Sequence, residues 1–144
     1  MCRVAKKKPE RWIAVFAKFG NAVPARSWLN SCPNSVQVHL AAVVTAVRDG
    51  PPPSFPDSNY WHAMHGDMKG FFECRDQYDK WNYRLLCILD RDAPNCGLEA
   101  PALVMLTGGR KQEGHAQLPA AVFDEAKALR SQHLRRSPRS VATS

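Results

Sequence analysis

The chain has 144 residues, 44% of them hydrophobic, with four Trp and six Phe; this is one domain's worth of sequence with enough apolar volume for a real core. Its five cysteines are odd in number and include no CxxC pair, which argues against a disulfide framework or a zinc pattern and fits a reducing compartment. A formal net charge of +7 favours a polyanionic partner, nucleic acid first, through phosphate contacts and counterion release.

Residues 1–10, MCRVAKKKPE, are polar and basic and read as a loose arm; with no apolar segment behind the charges, no secretory signal is expected. Residues 11–19, RWIAVFAKF, are aromatic and β-branched and predict a first strand, ended by Gly20-Asn21. A short helix is expected over residues 22–31, anchored by Trp28 and Leu29, with Pro33 interrupting it. In NSVQVHLAAVVTAV, residues Val36, Leu40, Val43, Val44 and Val47 fall on one helical face. Asn34 or Ser35 can cap this second helix, and Gly50 with three prolines stops it, although so many valines also suit a strand. The stretch is far short of the ~20 apolar residues that span a bilayer, so a cytoplasmic protein with no membrane partner is expected. Residues 50–60, GPPPSFPDSNY, form an extended linker.

Three strands follow, over residues 70–76, 82–90 and 102–108. In the first, period-2 alternation puts Phe72 and Cys74 on one face and Glu73 and Arg75 on the other. Cys74 and Cys87 lie in apolar runs and read as small buried hydrophobes. DQYDK is short enough for a hairpin turn, whereas residues 91–101 predict a longer, protruding loop. The last helix starts near Pro119, with Asp124 and Glu125 near its start and Arg130, Arg135 and Arg136 near its end, as the helix dipole prefers. Val122, Ala126 and Leu129 make its buried stripe. Residues 137–144 read as a flexible polar tail. The order is β-α-α-β-β-β-α, an α+β fold whose small antiparallel sheet is expected to be covered by helices on one face.

The series G-x-x-K-G-F-F-E-x-R, then Y-R-L-L, then L-T-G-G-R-K-Q-E-G, then Leu-Pro and an amphipathic helix resembles the RelE/ParE toxin superfamily, and within it the phage-derived, HigB-like branch. The likeness covers residues 64–134 by motif and 11–48 by element order, which makes residues 11–136 one RelE-like domain. It implies the toxin of a type II toxin–antitoxin pair: a metal-independent endoribonuclease that cuts messenger RNA on the ribosome, neutralised by a cognate antitoxin, often a helix-turn-helix protein. ParE relatives share the fold but inhibit DNA gyrase without cutting RNA, and an inactive phage-borne relative would keep the fold alone. By position, Glu73 and Arg75 fall where the family presents polar side chains to the RNA, and Arg84 falls on a common arginine. Arg110 and Lys111 fall on a basic pair ending the last strand, and His115 lies near a C-terminal catalytic Tyr or His. The chain departs from the pattern at Gly108-Gly109, where relatives often carry a larger apolar residue, and at Glu73, where some carry lysine.

Cutting RNA without a metal requires deprotonation of the 2′-OH, protonation of the leaving 5′-oxygen and stabilisation of the phosphorane. Arginine suits the last task because it is permanently charged and grips phosphate oxygens in pairs. Arg75, Arg84 and Arg110 are expected to converge from adjacent strands, with Lys111 beside them. Histidine titrates nearest neutral pH, so His115 is the first proton-transfer candidate and His65 the second; Glu73 can act as base or simply pair with Arg75. Ordinary structural roles compete throughout. Arg84 can serve Asp90 or the last helix, Arg110-Lys111 can be a solvated turn, and His115 a surface histidine. His62 and His65 form an H-x-x-H without a third ligand, and no metal or other cofactor is expected. Tyr60, Trp61 and Trp81 can stack on bases or fill the core. Lys69, Arg130, Arg135 and Arg136, with the lysines at 6–8, are the candidate RNA-backbone contacts.

Overall fold

The computed structural model describes residues 11–114 and 117–143, so the basic arm and His115 lie outside the described residues. The first strand, β1 (Ile13–Ala17), is followed by α1 (Pro24–Ser31) and α2 (Asn34–Asp49). The valine-rich segment is helical because its apolar residues recur at 3–4-residue spacing: Val36, Leu40, Val44 and Val47 are all buried on the face turned to the sheet. After the Pro-rich linker come β2 (Trp61–Ala63), β3 (Phe71–Tyr78), β4 (Trp81–Asp90), β5 (Ala102–Gln112), α3 (Ala120–Leu134) and β6 (Val141–Ala142). The sheet order is β2-β3-β4-β5-β1-β6. The β2 to β5 run is antiparallel, and β1 lies parallel to β5. The result is a mixed six-stranded α+β sheet rather than a purely antiparallel one.

Two expectations, one about layering and one about the hairpin, need correction. The helices do not share a face. Tyr83, Leu85, Cys87, Leu103 and Met105 meet α1 and α2 on one side, while Leu86, Ile88, Val104 and Leu106 meet α3 and its Ala126 on the other. Strands β4 and β5 are apolar on both faces, and a strand that alternates apolar with apolar must be covered twice. The hairpin is also tighter than DQYDK suggested. Asp79 and Lys80 form a two-residue turn with φ of +49° and +66°, the left-handed pair that matches strand twist. No glycine marks the place, so β3 and β4 run longer than the pattern implied.

Close helix approach is set by Gly108 and Gly109 in β5. A Cβ on Gly108 would land inside the Trp28 indole of α1, and one on Gly109 would lie 2.9 Å from Val122 Cγ2 of α3. The pair removes side chains at the two points where helices from opposite faces touch one strand. Gly108→Ala is expected to cost about 1–3 kcal/mol by overpacking, seen as a lower urea midpoint at unchanged m-value; an unchanged midpoint would refute the close approach.

The polar C-terminal segment is not a tail. β6 pairs with β1, and Arg139 is buried against Asp90 with Nε–Oδ2 at 2.9 Å and Nη2–Oδ1 at 3.3 Å. Arg139 Nη1 also donates to the carbonyls of Leu134 and Arg136. His133 Nε2 lies 3.0 Å from Asp90 Oδ2. The loop at 91–101 is held in by the same cluster: Ala93 is buried, and the Arg139 N–H donates to the Cys96 carbonyl. Polar composition hid this because the anchor is a charge pair rather than apolar residues. Burial opposes ionisation of Asp90, but hydrogen bonds from His133 and Arg139 outweigh it and hold the carboxyl below its ordinary 3.8. Its contribution is therefore complete above that value and is lost as pH falls through the depressed folded-state pKa. Asp90→Asn is expected to cost about 3–5 kcal/mol at neutral pH and to remove this part of the acid sensitivity, measured as urea midpoints at acid and neutral pH.

Candidate functional site

The polar end of the α3-facing surface of the sheet carries a cleft of about 530 Å³, lined by side chains from β2, β3, β4, β5 and the first turns of α3. Strand register builds it. Cross-strand partners share a face, and His62 pairs with Glu73, Arg75 with Arg84, and Asn82 with Lys111. Glu73, Arg75, Arg84 and Lys111 therefore line the same cleft, as the alternation at residues 72–75 predicted for the first two.

Glu73 is the buried anion of the group. Its Oε1 accepts from Arg75 Nη2 at 2.6 Å and Nε at 3.1 Å, and its Oε2 lies 3.8 Å from Arg84 Nε. Both arginines are thus held side by side by one carboxylate, and the expected Glu73–Arg75 pairing is present. Burial pushes the Arg84 guanidinium below its ordinary basicity, with Glu73 acting against that and Arg75 adding to it. Lys111 is also lowered from 10.5, first by burial and then by the charge on Arg84. A less basic ammonium among fixed cations is a better proton donor at neutral pH than an exposed lysine.

Arg110 does not join them. Its guanidinium stacks 4.0 Å over the Trp81 ring, and its strand partner Tyr83 belongs to the α1–α2 core. Adjacent residues on a strand point to opposite faces, so the Arg110-Lys111 pair is split by the sheet, and the expected convergence of Arg110 with Arg75 and Arg84 is corrected. Among the candidate RNA contacts, Arg130 stacks 4.3 Å over Phe71 and donates to the Lys69 carbonyl. Arg136 donates to the Lys18 carbonyl and lies over the Phe19 ring. Both guanidiniums have structural partners, whereas Lys69 and Arg135 are exposed. None of the four lines the cleft. Trp61 is fully buried, stacked 4.8 Å from Phe72, and Trp81 packs on the core.

Sequence reasoning passed over His62 except as a metal ligand. Its Nδ1 lies 3.5 Å from Asp57 Oδ2, and the other Asp57 oxygen accepts the Ala63 N–H at 3.1 Å. The Asp57 carboxylate, anchored by the backbone, thus stands beside the imidazole, and His62 lines the cleft. His65 stands edge-on to it at 5.9 Å and lines the same cleft. The signal was a D-x-x-x-x-H spacing across the linker, which means nothing until the β2 turn is known. Lys127 and Asp124 of α3 complete the wall. No group of three or more His, Cys, Asp or Glu among the described residues is placed to hold a metal.

The cleft's cations lean on one carboxylate, so removing its charge leaves Arg75 and Arg84 facing each other. Glu73→Gln is expected to lower stability by about 2 kcal/mol and to make the protein more responsive than wild type to added phosphate, which can take the carboxylate's place. Thermal unfolding with and without phosphate checks this; equal responses in the two proteins would rule out an anion site here.

No protein-family model, no curated protein and no solved structure matches this chain.

Proposed function

We propose that the protein is a metal-independent endoribonuclease toxin of the RelE/ParE kind, cutting messenger RNA on the ribosome and neutralised by a helix-turn-helix antitoxin. The observation that carries this reading is the grouping of Arg75, Arg84 and Lys111 in one cleft with a buried carboxylate and two histidines. The element order, with β1 laid beside β5, supports a RelE-like fold. So does the motif series between residues 64 and 134.

The chemistry follows from the positions. Arg75 and Arg84 grip the non-bridging oxygens of the scissile phosphate, as a planar fork can. His62 Nε2, oriented by Asp57, takes the 2′-hydroxyl proton. The 2′-oxygen attacks phosphorus, the bond from phosphorus to the 5′-oxygen breaks, and the Lys111 ammonium gives that oxygen its proton. The products are a 2′,3′-cyclic phosphate and a 5′-hydroxyl. The charge gathered on the phosphorane meets three fixed cations in a partly desolvated cleft, where such stabilisation is largest. His65, on the same wall, is the alternative proton carrier.

Induction in a bacterial host followed by primer extension on an abundant message tests this. Site-specific cuts within translated regions are expected. Arg84→Ala and Lys111→Ala should each reduce cutting about 100-fold or more, and His62→Ala about 100-fold. Arg110→Ala, whose side chain lies on the other face, should cut at near wild-type rate. Growth arrest with intact message and inhibited DNA supercoiling would overturn the endonuclease reading in favour of gyrase inhibition.

A further inference from the structure

Arg75 and Arg84 border a second cavity as well as the cleft. It holds about 460 Å³, within the size range of small-ligand sites, and lies further along the β3–β4 hairpin. Gln77 and Asn82 are direct register partners there. Each is two residues from its arginine on the same strand and therefore on the same face, about 7 Å away at strand rise. Gln77 Nε2 donates to Asn82 Oδ1 at 2.7 Å. That bond uses one donor and one acceptor of the pair and leaves the Gln77 carbonyl oxygen as an acceptor and the Asn82 amino group as a donor. Asn82 is 6% exposed, so its amide has a fixed position, which recognition needs and a loose surface amide lacks.

Tyr60 closes the other side of this cavity. Its backbone is pinned: its carbonyl accepts the Arg75 N–H at 2.8 Å, and its N–H donates to Ser58 Oγ at 3.2 Å. Tyr60 is nonetheless 61% exposed, while the neighbouring Trp61 is fully buried. Core packing accounts for Trp61 but not for the exposed Tyr60. A fixed backbone presenting an exposed tyrosine, an amide acceptor and an amide donor on neighbouring strands, and two guanidiniums shared with the cleft together match one nucleotide: ring on ring, base edge on amides, phosphate on arginines.

We infer that this cavity is a nucleobase subsite, which holds one unstacked base of single-stranded RNA beside the phosphate gripped by Arg75 and Arg84. The inference rests on the phosphate-cleft reading proposed above and adds to it the group that selects where the strand is cut. Every base offers a π-face and an adjacent donor and acceptor on its edge, so the subsite discriminates base-bearing from abasic strand first, and among bases by how each edge meets Gln77 and Asn82.

The test is fluorescence anisotropy with labelled 2′-O-methyl hexamers of A, C and U, which cannot be cut through the 2′-oxygen, beside a tetrahydrofuran abasic hexamer of the same charge. At least one base-bearing hexamer is expected to bind wild type about tenfold or more tighter than the abasic one, the scale of one stacked base. Tyr60→Ala should remove that difference while leaving abasic binding unchanged, Tyr60→Phe should keep it, and Gln77→Ala should alter the ranking among bases. Equal binding of base-bearing and abasic hexamers to wild type, or a base preference that survives Tyr60→Ala, overturns the subsite and leaves the phosphate cleft standing. Binding of neither kind overturns both. A Tyr60-dependent preference in a protein that cuts no message upholds the subsite and removes the catalytic reading alone.

Discussion

Everything in this molecule is arranged around one strand with two missing side chains. β5 has β4 on one side and β1 on the other, and at Gly108 and Gly109 it receives a helix on each face. A sheet that is apolar on both sides must be covered on both sides. Close cover at a given point requires either small residues on the strand or a longer gap filled by large ones. Here the strand is thin, and Trp28 and Val122 move in. The cost is local: two glycines in a strand lose ladder-ordered entropy and contribute no apolar area. The gain is that α3 lies close over the sheet at Val122, and its first turns form one wall of the cleft that Lys111, Arg84 and Arg75 also line. The same pair looked like a departure from the toxin pattern in the sequence; its role is packing.

The cleft itself is an electrostatic compromise. Its lining holds Arg75, Arg84, Lys111 and Lys127 against Glu73, Asp67 and Asp124, so bulk charge does not make it an anion site. Proximity does. Glu73 is buried with one oxygen on each arginine, which lets two guanidiniums sit within one carboxylate's width. Like charges at that separation would otherwise repel by kilocalories in a partly buried setting. An arriving phosphate meets cations already assembled and desolvated, and the reorganisation that a flexible surface would need at that moment is done in advance by folding.

Much of this was legible in the sequence, for identifiable reasons. Periodicity found α2, whose buried stripe is aliphatic at helical spacing, and α3, where Ala126 is buried with Val122 and Leu129 only half-buried and His133 is the other buried residue. Alternation placed Glu73 with Arg75 opposite Cys74, because residues 72–75 of β3 alternate apolar with charged. Strand pairing brought Arg75 and Arg84 together as expected, but Arg110, the hairpin turn and the long-range ion pairs were not legible. Arg110 and Lys111 read as one basic patch, yet neighbours on a strand face apart, and only the length of β5 shows that both belong to the strand. The Asp79-Lys80 turn lacks the Asn-Gly or Asp-Gly signature, so the hairpin appeared shorter. Asp57–His62 and Asp90–Arg139 are contacts between distant segments whose residue types, taken alone, look like loop and tail.

The C-terminal cluster has a part in the site despite its distance from it. Asp90 ends β4, His133 ends α3 and Arg139 leads into β6; the three are joined by hydrogen bonds in a volume almost closed to water. Buried charges cost desolvation that pairing must offset; His133 and Arg139 both meet the Asp90 carboxylate, while the buried His133 Nδ1 has no hydrogen-bond partner among the described residues. The alternative to the native arrangement is therefore not a looser contact but an uncompensated carboxylate. That makes the cluster a register device. It fixes how far α3 is drawn along the sheet, because His133 can reach Asp90 at only one helical position. The far end of the same helix carries Phe123, Asp124 and Lys127 into the cleft wall. A single turn of slippage would move these side chains by about 5.4 Å, more than the width of a phosphate contact. The position of the cleft's outer wall is thus set at the opposite end of the helix, by a charge cluster rather than by apolar packing.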